Sequence, residues 1–452
     1  MLRTALFYLT FGRYDSSGLC RGSFCNWEGR WKCTPGVVLY PSNLSQCEEA
    51  IALAVSKGCH LRVVGAGHSW SNIALVDSHD IMVSLDKMNK VLHVDGSNLE
   101  VTVEAGIRLH ELSTELDKLG LAIPILGSVS QQSIAGAIST GTHGSSPFYS
   151  TLCSLVQGLV ILTAAGERRV VSSSDPSFGA YLLTLGTLGM IVEVTLRVTP
   201  AFNLQTQERI VPLEMAYKLI EDPESQGEFS KVWVMPHTNK AIAFSYSKVT
   251  SQPTWHSHKW VSFVRETLVE GAVAGILWWF AAWFPFLTPL INNIIVLSAH
   301  LHAPRIGRSD SVFNLDVPLR HPEMEYALPK SCALQAIQEM LQCIDRKHRV
   351  NFIIEIRYVA ADAAWLSPAY QQPSVYVGFL LYRQEKMFSH YFNDMEVICQ
   401  KYGGRPHWGK LFFAGPEEVC ASYPRWNEFV RLRKDLDTAG TFLNAFTEQY
   451  VT

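Results

Sequence analysis

An α+β architecture with two unlike domains follows from three features of the chain. Short strand-like and helical segments alternate from about residue 36 to 200, the pattern of a domain that wraps sheet in helix. Two glycine-rich stretches interrupt that alternation, one of them directly behind a strand-like run. After Pro200 the texture changes to strands joined by helices and by one uncharged apolar stretch, which marks a second α+β domain. The chain divides into an N-terminal segment (1–35), a first domain (36–200), a second domain (201–404) and a C-terminal segment (405–452) whose polar chemistry faces the first domain.

Each element has a local reason. Cys47, Ile51, Ala54 and Val55 recur at helical spacing between Leu44 and Lys57, behind Ser42 or Asn43 as cap. Leu61–Val64 is apolar, β-branched and bounded by glycines, which predicts a buried strand. Residues 81–85 and 99–104 read as strands in the same way, and Leu109, Leu112, Leu116 and Leu119 as a second helix. Residues 191–198 close the domain as a strand that ends at Pro200. In the second domain, residues 231–235, 241–245, 350–357 and 375–381 are strand-like.

Composition narrows the function. With 452 residues, 48% of them apolar and 17% charged, the chain has material for a large core. A net charge of -3 and scattered Lys and Arg give nucleic acid no footing. Ten cysteines contain no C-x-x-C pair, so a zinc ribbon or dithiol motif is not expected, and no metal is. They are too sparse for a disulfide scaffold and read as separate thiols, although five in the first 60 residues leave a local disulfide open. Residues 271–304 carry no Asp, Glu, Lys or Arg. Pro285, Pro289, Asn292 and Asn293 interrupt a span, while Trp278, Trp279 and Trp283 suit a membrane interface. The expectation is association with an intracellular membrane such as the endoplasmic reticulum, with a buried pair of core helices as the alternative. The start of the chain is too short in apolar residues for a signal peptide.

The glycine-rich stretches are the candidate cofactor site. Gly65, Ala66, Gly67, His68 and Ser69 follow the strand Leu61–Val64, but a dinucleotide turn of the G-x-G-x-x-G type lacks its third glycine here. What remains is a tight loop whose backbone amides can approach a pyrophosphate. Residues 127–145 alternate glycines with small hydroxyl residues, offering many backbone donors with little obstruction; a close-packed interdomain loop would look alike.

On Gly65, Ala66, Gly67, His68 and Ser69, on residues 134–144, on Glu355 and Arg357 and on residues 405–410, with Phe24 and Trp27 near the start, the sequence resembles the vanillyl-alcohol-oxidase-type flavoproteins. Within them it is similar to the sugar-1,4-lactone oxidases, with alditol oxidase nearby. The resemblance covers most of the chain and implies a PCMH-type FAD-binding domain followed by a substrate or cap domain. It implies FAD bonded through its 8α-methyl to His68, a feature of the oxidases rather than of the plant dehydrogenases. It places Gly65, Ala66, Gly67, Ser69, Gly127, Ser128, Ser130, Ile134, Gly136, Ser139, Gly141, Thr142, His143, Gly144 and His407 along the cofactor, with Gly189 and Ile191 on the adenine side. Gly127 stands where dehydrogenase relatives carry an oxygen-obstructing alanine. Glu355, Arg357, Lys410 and Ser128 form the implied catalytic set, with Glu355 toward the substrate hydroxyl and the two cations toward substrate and reduced flavin. Glu355 and Arg357, two apart on a strand, share one face; taken alone such a pair reads as a salt bridge. The implied reaction oxidises a gulono-, galactono- or arabinono-1,4-lactone to an ascorbate-type product, with O2 reduced to H2O2. The alternatives are an alditol oxidase, a lactone dehydrogenase with another electron acceptor, or a flavin-free binding protein that kept the fold.

Overall fold

A computed structural model describes residues 19–20, 22–251, 272–298, 304–314 and 319–452. The first domain is built on two main sheets. β1 (Val37–Leu39), β2 (Leu61–Val64) and β3 (Ile81–Ser84) form a parallel sheet in the order β1-β3-β2, with α1 (Leu44–Lys57) as the crossover. Asn43 is the cap of α1, its side chain accepting from the Gln46 amide, and Gly58 closes the helix in the left-handed region. β4 (Val91–Asp95), β5 (Glu100–Glu104), β6 (Val156–Leu162), β7 (Arg168–Ser172) and β8 (Met190–Arg197) form an antiparallel sheet in the order β7-β6-β8-β5-β4. Two helices, α2 (Leu109–Lys118) and α3 (Ile134–Ser139), lie between β5 and β6 in sequence, and Leu109, Leu112 and Leu116 of α2 are buried as the spacing predicts.

The second domain is one eight-stranded sheet. It comprises β9 (Asn203–Pro212), β10 (Phe229–Val234), β11 (Lys240–Val249), β12 (Arg305–Arg308), β13 (Glu323–Pro329), β14 (Ile354–Val359), β15 (Ser374–Leu380) and β16 (Arg405–Pro406), in the order β12-β9-β11-β10-β14-β15-β13-β16. Alternation divides its faces. Met324, Tyr326, Leu328, Ile354, Ile356, Val375, Val377 and Phe379 point to one side. There they pack against α4 (Leu213–Glu221), and against the helices α7 (Lys330–Lys347) and α8 (Phe388–Lys401).

On the opposite face Ala327, Tyr376, Arg357, Lys231 and Phe244 stand in one cross-strand row, and Glu325, Gly378, Glu355, Trp233 and Ile242 in the next. This face meets the first domain: the Ser146 amide donates to the Tyr358 carbonyl at 2.8 Å, and Trp70 Nε1 to the His321 carbonyl at 2.6 Å.

The uncharged stretch is folded between β11 and β12 as a helical hairpin, α5 (Ala272–Trp283) and α6 (Thr288–Ser298), bent at Pro285–Leu287. Among the described residues no helix is long and apolar enough to cross a membrane. The ends of the stretch, 271 and 299–303, and the start of the chain, 1–18, lie outside the described residues. Cys25, Cys33, Cys47 and Cys59 carry free thiols. The C-terminal segment, with α9 (Trp426–Leu436) and α10 (Ala445–Val451), returns to the first domain: Trp70 and Ser71 bond the carbonyls of Gly409 and Trp408 at 2.7 and 2.8 Å.

Candidate active site

The two glycine-rich stretches, far apart in sequence, meet in space. A Cβ on Gly65 would lie 2.4 Å from Ser133 Oγ, and one on Gly136 3.0 Å from the same atom, so both positions exclude a side chain. Ser133 caps α3 by accepting from the Gly136 amide. Gly67 adopts φ +67° beneath the Phe24 ring, and the Trp27 amide donates to its carbonyl at 2.7 Å. Gly127 is buried, and a methyl there would stand 2.9 Å from the His143 carbonyl oxygen. Gly144 packs equally closely on Ile125 and Leu126. Ser128 and Ser130 continue the second stretch, half-buried, toward Ile134. Ser139 receives the Leu185 amide, while Gly141 (φ +77°) and Thr142 lead to His143.

His68 sits on this cradle with its ring stacked on Trp27, centroids 5.8 Å apart. Its Nδ1 is buried without a hydrogen-bond partner. Burial, with the Arg108 and Lys410 charges, lowers its pKa to about 3, so the imidazole is neutral near pH 7. Gly189 (φ +135°), just before β8, is pressed against Leu162 of β6, and Ile191 of β8 pairs with Ile161.

The wall opposite comes from the sheet face and the C-terminal segment. Glu355 Oε1 accepts from Lys231 Nζ at 3.0 Å and Trp233 Nε1 at 2.8 Å, and its Oε2 from Arg357. Burial alone would raise this carboxyl, but Arg357 and Lys231 hold it well below the usual range. It is a fixed anion with one acceptor position left on Oε2. Burial lowers the Arg357 guanidinium, and Glu355 and Glu325 more than offset it; its Nε is buried and unpartnered. Lys410 pairs with Glu323 and lies 3.9 Å from the Trp70 ring centroid. His407, buried beside His143, is lowered to about 3 by burial and stays neutral.

Sequence reasoning named Glu355, Arg357 and Lys410 but missed what holds them. Lys231, Trp233, Glu323 and Glu325 lack a local motif; the only signal was two acids spaced by two at the head of an apolar strand. Glu355 and Arg357 are bonded to each other, as the salt-bridge reading of the pair expects.

A flavin suits these residues. The imidazole is neutral with one sealed, unpartnered nitrogen, Gly65 and Gly136 let the two glycine stretches close on Ser133, the Lys410 charge acts on His68, and Arg357 stands on the sheet face that meets the first domain. Residues 35–172 match the FAD binding domain family. The chain superposes on cholesterol oxidase from B. sterolicum with a TM-score of 0.80 at 17% identity, over 95% of this chain and 97% of that one. Fold and site thus define a two-domain FAD-binding flavoprotein.

The family is narrower than that class. Residues 194–450 match the D-arabinono-1,4-lactone oxidase family, and the chain belongs to it. It is 32% identical to an L-gulonolactone oxidase of Scyliorhinus torazame, over 94% of this chain and 97% of that protein. It is 30% identical to an L-gulono-1,4-lactone dehydrogenase of Mycobacterium tuberculosis, over 94% and 98%. Oxidase and dehydrogenase names therefore occur at nearly equal distance.

Proposed function

We propose that this chain oxidises a sugar-1,4-lactone of the gulono, galactono or arabinono type to an ascorbate-type product and passes the electrons to O2. The observation that carries this reading is Glu355, pinned by Lys231 and Arg357 in the same cross-strand row as Glu325, whose carboxylate meets His143 of the second glycine stretch. The substrate loses a hydride from C2 and a proton from its hydroxyl, and the resulting 2-keto lactone enolises. Bound FAD supplies the hydride acceptor. The open position on Glu355 Oε2 takes the hydroxyl hydrogen bond and orients the C–H, while Arg357 and Lys410 offset the negative charge that grows during transfer. Two electrons and two protons then convert O2 to H2O2. Gly127, which lacks a methyl, supports oxygen access.

Attachment of FAD to His68 is part of this reading, supported by the neutral ring and its sealed nitrogen. Denatured protein should stay yellow, and His68→Ala should release the colour; colour lost from the parent on denaturation refutes the bond. Peroxide should appear with gulono- or galactono-lactone and not with xylitol or sorbitol. Rapid dye reduction without peroxide would instead establish a dehydrogenase.

The hairpin is the proposed membrane contact. Trp279, Phe280, Trp283, Phe284, Phe286 and Leu290 are exposed on it, Phe286 to 75%, with no charge from 272 to 298. Such a surface suits shallow insertion into an intracellular membrane leaflet. Flotation with liposomes should be lost on changing Trp279, Trp283 and Phe286 to Ser; a parent that does not float refutes it.

A further inference from the structure

Two histidines and a glutamate, His143, Glu325 and His407, bring their ligand-capable atoms within 4.8 Å of one another, all buried. The hydrogen-bond partners decide which nitrogens carry protons. His143 Nδ1 is 2.8 Å from the Gly144 carbonyl oxygen, which can only accept, so Nδ1 bears a hydrogen. His143 Nε2 then faces Glu325 Oε2 at 3.4 Å. A neutral His143 would set a nitrogen lone pair against a carboxylate there, and the contact would repel. His407 makes no hydrogen bond to either atom: its side chain bonds only at Nδ1, which accepts from the Gly409 amide at 3.0 Å and so puts the hydrogen of the neutral ring on Nε2. The same assignment leaves a metal ion one free nitrogen lone pair, on His143.

We propose that a proton is held between His143 Nε2 and Glu325 Oε2, and that this buried pair positions the flavin loop and Lys410 relative to each other. The proposal rests on the flavin reading above. Glu325 stands where three segments meet. Its side chain reaches His143 of the glycine stretch, and its carbonyl accepts from the His407 amide at 3.0 Å. Glu323, two residues earlier on β13, accepts the Leu411 amide at 3.0 Å and pairs with Lys410. The groups facing the pair are Lys410, Arg357, Glu323, His407 and Tyr376, whose ring centroid is 4.0 Å from that of His143. The Lys410 and Arg357 cations favour the anionic carboxylate, so the proton resides on the imidazole and Glu325 is a positioning residue.

The test is an NMR spectrum of protein labelled with 15N in histidine, with His143→Asn identifying the His143 signals. The parent should show His143 as imidazolium at pH 7, and Glu325→Gln, whose amide can donate to Nε2, should show a neutral ring. In rapid mixing with lactone, Glu325→Gln should slow flavin bleaching by about tenfold or more while KM moves little. A neutral His143 in the parent at pH 7 overturns the proposal, as does a Glu325→Gln protein with unchanged spectrum and rate. If that variant does not fold, the parent spectrum alone decides. A parent with a protonated His143 that no lactone bleaches overturns the lactone reading and leaves the proton pair standing.

Discussion

Glu355 shows how a buried charge becomes an orienting device. Three donors from two strands hold it ionised, and removing the charge leaves the buried Lys231 and the half-buried Arg357 without the carboxylate they bond. Glu355→Gln should therefore lower kcat by about a hundredfold or more, and destabilise the fold by about 3–5 kcal/mol, measured by steady-state kinetics and urea unfolding. The buried histidines set an acid limit. His407 titrates at about 3 in the fold against an ordinary 6.5, so between those values the unfolded chain binds more protons. The stability that the neutral His407 contributes is whole above pH 6.5 and is lost as pH falls toward 3. His407→Gln should flatten the fall of Tm with acidification across that window.

Single elements carry specific tasks. The hairpin is fixed to the sheet by Asn292, fully buried, whose amide donates to the Pro236 and Val350 carbonyls at 2.9 and 3.1 Å. Trp278 packs on Phe352, centroids 4.3 Å apart. Asn292→Leu leaves two buried carbonyls short of a donor and should cost about 2 kcal/mol, read as faster proteolysis of the hairpin at unchanged flavin content. The loop at Gly127 is packed as tightly as it is open to chemistry. Because a methyl there meets the His143 carbonyl at 2.9 Å, Gly127→Ala should lower Tm as well as oxygen reactivity. A variant with unchanged peroxide output counts against the oxygen-access argument.

At the scale of the whole molecule, the site lies where two domains and a returning tail meet. In His68→Ala, where the flavin is exchangeable, Tm should rise with added FAD, and a thermal melt at several FAD concentrations measures the coupling of the seam to the cofactor. Much of this plan is legible in the sequence. Asn43, the leucines of α2 and the strand Leu61–Val64 act through local periodicity and capping, and they fall where expected. Strand limits shifted by a few residues where pairing decided them: the run 350–357 pairs only as Ile354–Val359, because β10 and β15 offer partners to that stretch alone. The apolar stretch was read as membrane contact or core pair; Ala281, Ile291 and Val296 are buried, and its exposed aromatic tip is the surface on which the proposed membrane contact rests.

By itself the sequence determined the helices and strands that periodicity and capping set, and its family resemblance pointed to the cofactor loop and to Glu355, Arg357 and Lys410 as the proposed catalytic set. Only the tertiary structure decided what those groups can do. Lys231, Glu323 and Glu325 acquire their roles from cross-strand register and from the docking of residues 405–411, contacts between positions up to 182 residues apart (His143 to Glu325) that local pattern does not encode. A charge two residues along a strand is a matter of periodicity, but the counter-charge that fixes its protonation comes from wherever the fold brings it.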